Sequence, residues 1–161
     1  MAHEMPERKY IMGLDMYLFK TKKNQLSNLV TSIRDAVEAD TTVFPSIGGY
    51  HLVPLDENER NHVDKLGPVV SWVKVYDIHN WFSQNVLGNK QGNEERQLAL
   101  VTRRQLQSLL EWCDERMTGL SLANIEQARL HSELKRTQNE IQKLMSTTDF
   151  SRSIILYFAY W

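Results

Sequence analysis

The fold is decided by a short stretch near the middle of the chain, Val69-Val70-Ser71-Trp72-Val73-Lys74-Val75-Tyr76-Asp77-Ile78-His79-Asn80-Trp81-Phe82. The first half of this stretch is rich in β-branched residues, and the second half spaces its apolar residues as an amphipathic helix does. The pattern predicts a strand over 69–75 that leads directly into a helix over 76–87. Several polar groups stand here beside a large aromatic surface, so this is the first place to look for a site.

Two further strands are predicted near the ends of the chain. Residues 11–19 alternate, with Leu14, Met16 and Leu18 on one face of the strand. Residues 153–161 are apolar on both faces, which is typical of a strand enclosed within a sheet. The N-terminal strand is similarly two-sided, so we expect these two strands to be neighbours. A weaker pattern predicts a short strand over 98–101.

Helical spacing of apolar residues predicts helices over 24–39, near 57–65, after Thr102, and over about 121–146. Thr102 and Gln105 have the spacing of a capping box, and Gly119 is a plausible stop. The order of elements favours an α+β fold, with a small, mostly antiparallel sheet of N-terminal, central and C-terminal strands. About four helices, one of them long, are expected mainly on one face of that sheet. The 161 residues suit a single domain over 12–161, preceded by a flexible extension over 1–11.

The composition narrows the function classes. The chain is 42% hydrophobic and 24% charged with a formal net charge of −1, so a broadly basic surface is not expected. The single cysteine, Cys113, and the lack of a leader-like or membrane-spanning apolar run predict a cytoplasmic protein. The five histidines are scattered, and no glycine-rich phosphate motif precedes a helix. The sequence therefore predicts no metal and no cofactor.

Two blocks of the sequence resemble a group of small, mostly uncharacterised proteins of tailed bacteriophages and prophages. The first block is Met12-Gly13-Leu14-Asp15-Met16-Tyr17-Leu18, similar to the usual start of those proteins. The second block runs from Trp72 to Phe82 and is similar to a Trp–basic–basic stretch followed by Ile-His-x-Trp-Phe. The group carries Arg after the first Trp and Asn three positions before the His, where this chain has Val73 and Tyr76. The resemblance implies a phage accessory protein for host modulation or counter-defence, with Met12 as an ancestral start.

Catalysis is one interpretation of the polar residues. His79 can act as a general base near neutral pH, and with Asp15 and Lys74 it would make a small hydrolase or nucleotide-processing site. The structural alternatives are a His79 satisfied in a half-buried position and an Asp15 ion-paired at the surface. Asp77 points about 200° away from His79 on a helix and sits where an N-cap or first-turn acid would.

Binding is the favoured interpretation, with a host protein or a small ligand as the partner. The ligand- or partner-binding set that the central stretch predicts is Trp72, Lys74, Tyr76, His79 and Trp81.

Two other surfaces are predicted. Leu130, Leu134, Ile141 and Leu144 form a coiled-coil-like seam, which either packs on the sheet or pairs with a second copy in a homodimer. Lys20, Lys22, Lys23 and the pair Arg103-Arg104 are the cations a nucleic acid would use. So few charges more often mark solvated surface, so nucleic acid and membrane are not the expected partners.

Overall fold

A computed structural model of the chain describes residues 14–25, 52–53, 57–86 and 98–160. The extension predicted over 1–11 and most of the helix predicted over 24–39 lie outside these residues. The strands are β1 (Asp15–Lys22), β2 (Leu52–Val53), β3 (Val70–Val73), β4 (Leu98–Val101) and β5 (Ser153–Tyr160). The helices are α1 (Glu57–Leu66), α2 (Tyr76–Asn85), α3 (Arg103–Thr118) and α4 (Ile125–Ser146), and a 3-10 turn (Lys23–Gln25) follows β1.

The described strands form one antiparallel sheet in the order β2-β4-β5-β1-β3. The expected pairing of the N- and C-terminal strands is confirmed, because β1 and β5 run side by side from Asp15↔Tyr160 to Lys22↔Ser153. β5 is buried on both faces, with Ile155 and Tyr157 on one face and Ile154 and Leu156 on the other, which explains why its sequence is apolar on both faces. The predicted α+β class is also confirmed.

Three helices cover one face of the sheet. Met16, Trp72 and Tyr157 lie on this face, in one buried cluster with apolar residues of α2, α3 and α4. Helix α1 meets the other face, where Thr21 Oγ1 lies 3.1 Å from Nε2 of His62. Within the described residues, three of the four α-helices therefore lie on one face of the sheet, as the sequence predicts.

The ends of the helices follow local sequence signals. The capping box predicted for α3 is present: Thr102 Oγ1 accepts from the Gln105 amide, and the Gln105 side chain accepts from the Thr102 amide. Gly119 ends α3 with a φ of −89°, so the stop is confirmed without the left-handed geometry that would require glycine. Gly67, after α1, does adopt that geometry, with a φ of 75°.

The seam on α4 packs inside its own chain. Leu134, Ile141 and Leu144 are buried in the core, and Leu130 packs against it. Leu134, Ile141 and Leu144 are therefore not available to pair two copies, because they are buried in the core of their own chain. The alternative interpretation, packing on the sheet, is the one that the structure shows.

The junction between β3 and α2 is strained at Lys74. This residue has a φ of 57°, and its N–H donates to the Leu14 carbonyl at 2.7 Å. Left-handed backbone is unfavourable for any residue with a Cβ, by about 1–2 kcal/mol, and glycine avoids most of that penalty. The hydrogen bond to β1 holds the chain in this conformation while the strand turns into the helix.

Replacing Lys74 by glycine is therefore expected to stabilise the fold. We expect the free energy of unfolding to rise by about 0.5–1 kcal/mol, which is the strain relieved less the greater entropy of glycine in the unfolded chain. Urea denaturation measures the change. Lys74→Ala is the matched control, since alanine removes the same charge but keeps the Cβ. An equal gain in both variants would assign the effect to charge and contradict the strain.

Candidate functional site

The central stretch forms the middle of the core. Trp72 is 1% exposed, and its ring centroid lies 5.6 Å from that of Phe82. Phe82 stacks on Tyr157 of β5 at 4.0 Å, and Trp81 meets Phe82 edge-on at 5.1 Å. The indole Nε1 of Trp72 donates to Thr137 Oγ1 on α4 at 2.8 Å. These rings join β3, α2, β5 and α4 into one unit.

His79 is enclosed in the same core. Its side chain is on the buried face of α2, the residue is 4% exposed, and Nδ1 lies 2.7 Å from the hydroxyl of Tyr157. Either group can donate in this hydrogen bond, depending on the tautomer of the imidazole. Burial lowers the pKa of His79 from 6.5 to about 4, so the ring is neutral at pH 7. Burial likewise keeps the pKa of Tyr157 well above its ordinary value.

The proposed catalytic set does not converge. Asp15 alternates with Met16 along β1 and lies on the sheet face opposite to the one that carries Tyr157 and its partner His79. Lys74 is exposed and follows Val73, which is the register partner of Asp15. The structure thus brings Lys74 near Asp15 and places the sheet between Asp15 and His79. A general base needs hydrogen-bond reach of its substrate, and a buried His79 lacks it.

The predicted binding set is divided between residues of the core and exposed residues. Trp72, His79 and Trp81 are core residues, so their interpretation as contacts for a ligand or partner is corrected: a partner cannot reach them. Lys74 and Tyr76 remain exposed at the β3–α2 junction.

Asp77 is the first-turn acid of α2, which is one of the two roles that the sequence predicts, and it is not the N-cap. The N-cap of α2 is Val75, without a side-chain cap, and Asp77 lies in the first turn. Its Oδ2 accepts from Nε of Arg116 at 3.2 Å and lies 3.1 Å from Nη2, so the carboxylate ties α2 to α3.

A cavity that sequence reasoning missed lies at the turn between α3 and α4. Its volume is about 320 Å³, and its lining includes Arg116, Leu120, Asn124, Glu126, Gln127 and Leu130. Leu122 and Ile125 lie between these lining residues in the sequence, and they are 64% and 76% exposed. Asn124 caps α4 by accepting from the Gln127 amide at 3.0 Å, which holds the turn in place. The only sign of this cavity in the sequence is a pair of leucine-bearing helices joined by a turn, with apolar residues in the turn that do not belong to the seam of α4.

Other chemistries find little support in the part of the chain that the structure describes. No group of three or more His, Cys, Asp or Glu is placed to hold a metal ion there. Cys113 is fully buried, and burial together with Asp114 raises the pKa of its thiol to about 12, so the thiolate is not populated near neutral pH. Within the same residues, no helix has the length and apolar character needed to cross a membrane.

Comparisons with known proteins add no assignment. Neither a scan of protein-family models nor searches of curated proteins and of solved structures produced a match to this chain. The class defined by the geometry is an antiparallel α+β domain with an aromatic core and an exposed apolar turn.

Proposed function

We propose that this protein is a non-catalytic accessory protein of a bacteriophage or prophage, which acts in the bacterial cytoplasm by binding a host protein. The phage origin rests on the resemblance of residues 12–18 and 72–82. The binding role rests on the contrast between the catalytic candidates, of which His79 is buried and lies across the sheet from Asp15, and the exposed apolar residues of the α3–α4 turn.

The observation that carries the proposal is the exposure of Leu122 and Ile125 in and next to the α3–α4 turn, whose residues Leu120 and Asn124 line the 320 Å³ cavity. Large apolar side chains that gather at a concave surface are the usual anchors of a protein contact. The rim of the cavity is polar, through Asn124, Glu126 and Gln127, as the rim of an interface is. A small ligand is the second candidate, because the cavity volume lies at the lower end of the range for ligand sites.

Substitution of the turn tests this role. We expect tagged wild-type protein, incubated with a bacterial lysate, to retain one specific protein in an amount close to its own molar amount. The Leu122→Ser/Ile125→Ser variant should retain at least tenfold less of that protein. Val73→Ser is the control, since Val73 is 64% exposed but lies on β3 and not in the α3–α4 turn. Native mass spectrometry of the captured material gives the stoichiometry and would also reveal a bound small molecule.

The controls separate binding from folding. Both variants change exposed side chains, so their unfolding free energies should stay within about 0.5 kcal/mol of wild type. Equal capture by wild type and by both variants would contradict the assignment of the α3–α4 turn. Turnover of a phosphate or carboxylic ester that persists in Leu122→Ser/Ile125→Ser and is lost in His79→Gln would contradict the non-catalytic role.

A further inference from the structure

The sheet collects the scattered cations of the sequence at one end. Strand β1 ends at Lys22, which pairs with Ser153 at the start of β5, and β4 ends at Val101, which pairs with Ile155. The chain enters β5 from Arg152 and leaves β4 into α3. The basic end of the sheet is formed by the residues at these three strand ends, which are Lys20, Lys22, Lys23, Arg103, Arg104 and Arg152.

Direct contacts tie parts of the basic end together. The N–H of Lys23 donates to the Arg152 carbonyl at 2.9 Å, and Nζ of Lys20 donates to the Thr147 carbonyl at 3.3 Å. Neighbouring strands are about 4.8 Å apart, so the ends of β4, β5 and β1, next to which these cations lie, span roughly 10 Å of the sheet. Asp149, which lies 3.8 Å from Arg152, is the acidic residue of the turn that enters β5. His62 of α1 adds a titratable group beside Thr21.

The charged residues of α3 are arranged opposite to the order that the helix dipole favours, with cations near its start and acidic residues further along. Its first turn has no acidic residue and carries Arg103 and Arg104 at the positive end of the helix dipole. A cation at this end of a helix is unfavourable for the helix dipole. Glu111, Asp114 and Glu115 lie toward the other end of α3, about 12–18 Å away at 1.5 Å per residue. This arrangement places two cations where an anion would approach the start of α3.

We propose that the basic end binds the phosphodiester backbone of a nucleic acid, without reading its sequence. This goes beyond the proposed protein-binding role and uses a different surface. Half of the six cations are arginines, whose planar guanidinium groups match phosphate oxygens in pairs. Lys23, Arg103 and Arg104 also make contacts within the chain, so the argument rests on where the charges stand and not on their being unpaired.

The composition of this surface selects a nucleic acid over other polyanions. The exposed large apolar residues of the described chain are Leu66, Val69, Val73, Tyr76, Leu122 and Ile125. None of them belongs to the segments of the basic end. A membrane surface is gripped by apolar side chains as well as by cations, and an acidic protein partner normally adds apolar anchors. Val69 lies beside β1 at this end of the sheet, because its N–H donates to the Leu18 carbonyl. Among the described residues the cations there still outnumber the exposed apolar side chains, which fits a partner recognised mainly by charge, such as a phosphate backbone.

Fluorescence anisotropy with labelled 24-nucleotide DNA, single-stranded and duplex, tests the proposal on the full chain. If four phosphates are contacted, the logarithm of the duplex association constant should fall with that of salt with a slope of about −3.6. That slope corresponds to roughly a hundredfold weaker binding between 50 and 200 mM salt. Arg103→Gln/Arg104→Gln should reduce the slope by about 2, which is one unit per cation.

A matched control separates this surface from net charge. Arg129→Gln/Lys135→Gln removes the same two charges from exposed positions of α4, about 18 Å or more along the helix from Thr147. We expect that variant to bind DNA within about twofold of wild type. The melting temperatures of both double variants are compared with that of wild type, so that a loss of DNA binding is separated from a loss of folding.

Three results would overturn the proposal. The first is no binding of DNA at 25 mM salt, and the second is an equal loss of binding in both double variants. The third is tighter binding of polyglutamate, or of vesicles containing phosphatidylserine, than of either DNA. The Leu122 and Ile125 variants should bind DNA as wild type does, so failure here leaves the protein-binding role to its own test.

Discussion

Replacing Trp72 by alanine is expected to lower the free energy of unfolding by about 3–5 kcal/mol, which is a large part of the 5–15 kcal/mol that holds a typical domain. Trp72 lies on the edge strand β3 and is nevertheless 1% exposed, because α4 and Phe82 of α2 cover its ring. Truncation removes the buried area of the largest side chain and leaves a cavity where three elements meet. Urea denaturation monitored by far-UV circular dichroism measures the loss. A change below about 1 kcal/mol would contradict the central place of this ring.

The polar part of the same contact can be tested separately. Thr137 Oγ1 accepts from the indole N–H at 2.8 Å and donates to the Glu133 carbonyl at 2.7 Å. Thr137→Val keeps the shape but leaves the buried indole N–H without this acceptor, at a cost of about 1–3 kcal/mol. Thr137→Ser is the matched control, because it keeps the hydroxyl. A double-mutant cycle with Trp72→Phe isolates the hydrogen bond, and a coupling energy near zero would show that it contributes nothing.

The stability of the protein is expected to fall as the pH drops from about 6.5 to about 4. The pKa of His79 is lowered by burial to about 4 in the folded protein and is near 6.5 in the unfolded chain. Between those values the unfolded chain binds the extra proton, so acid favours unfolding. The full effect is on the order of 3 kcal/mol and is complete near pH 4. Above pH 6.5 both states hold a neutral imidazole, and this group adds no pH dependence.

A comparison of histidine variants assigns this effect. His79→Gln keeps a polar, neutral side chain, so its unfolding free energy should depend less on pH between 4 and 6.5 than that of wild type. His131→Gln is the matched control, because His131 is a half-buried residue on α4 outside the aromatic core. Denaturation in urea at pH 7, 6, 5 and 4.5 gives the slopes. Parallel curves for wild type and His79→Gln would contradict the assignment, whatever the stability of the variant at pH 7.

Features that depend on near neighbours in sequence were predictable. The capping box of Thr102 and Gln105 joins residues three apart, and the alternation of Leu14, Met16 and Leu18 needs only the period of a strand. The pairing of β1 with β5 was also predictable, because two strands that are apolar on both faces need the middle of a sheet. These signals are carried by the order of residues alone.

The candidate site was not predictable in the same way. His79 and Tyr157 are 78 positions apart, and no local sequence pattern around either residue indicates that they contact each other in the core. The sequence allows Asp15 and His79 to share one catalytic site, whereas in the structure they lie on opposite faces of the sheet. The exposure of Leu122 and Ile125 depends on how α3 and α4 pack, because the same helical pattern buries Leu134 and Ile141.

The sequence by itself determined the class of fold, the α3 cap and the strand-to-helix stretch over 69–82, because the periods of 2 and 3.6 residues are local properties of the backbone. The tertiary structure alone decided which groups of that stretch reach water. In the folded protein Trp72, His79 and Trp81 are buried in the core, whereas Lys74 is exposed. Cations from residues 20–23, 103–104 and 152 lie at one end of the sheet. The physical reason is that burial and electrostatic potential depend on residues that are distant in sequence and adjacent in space.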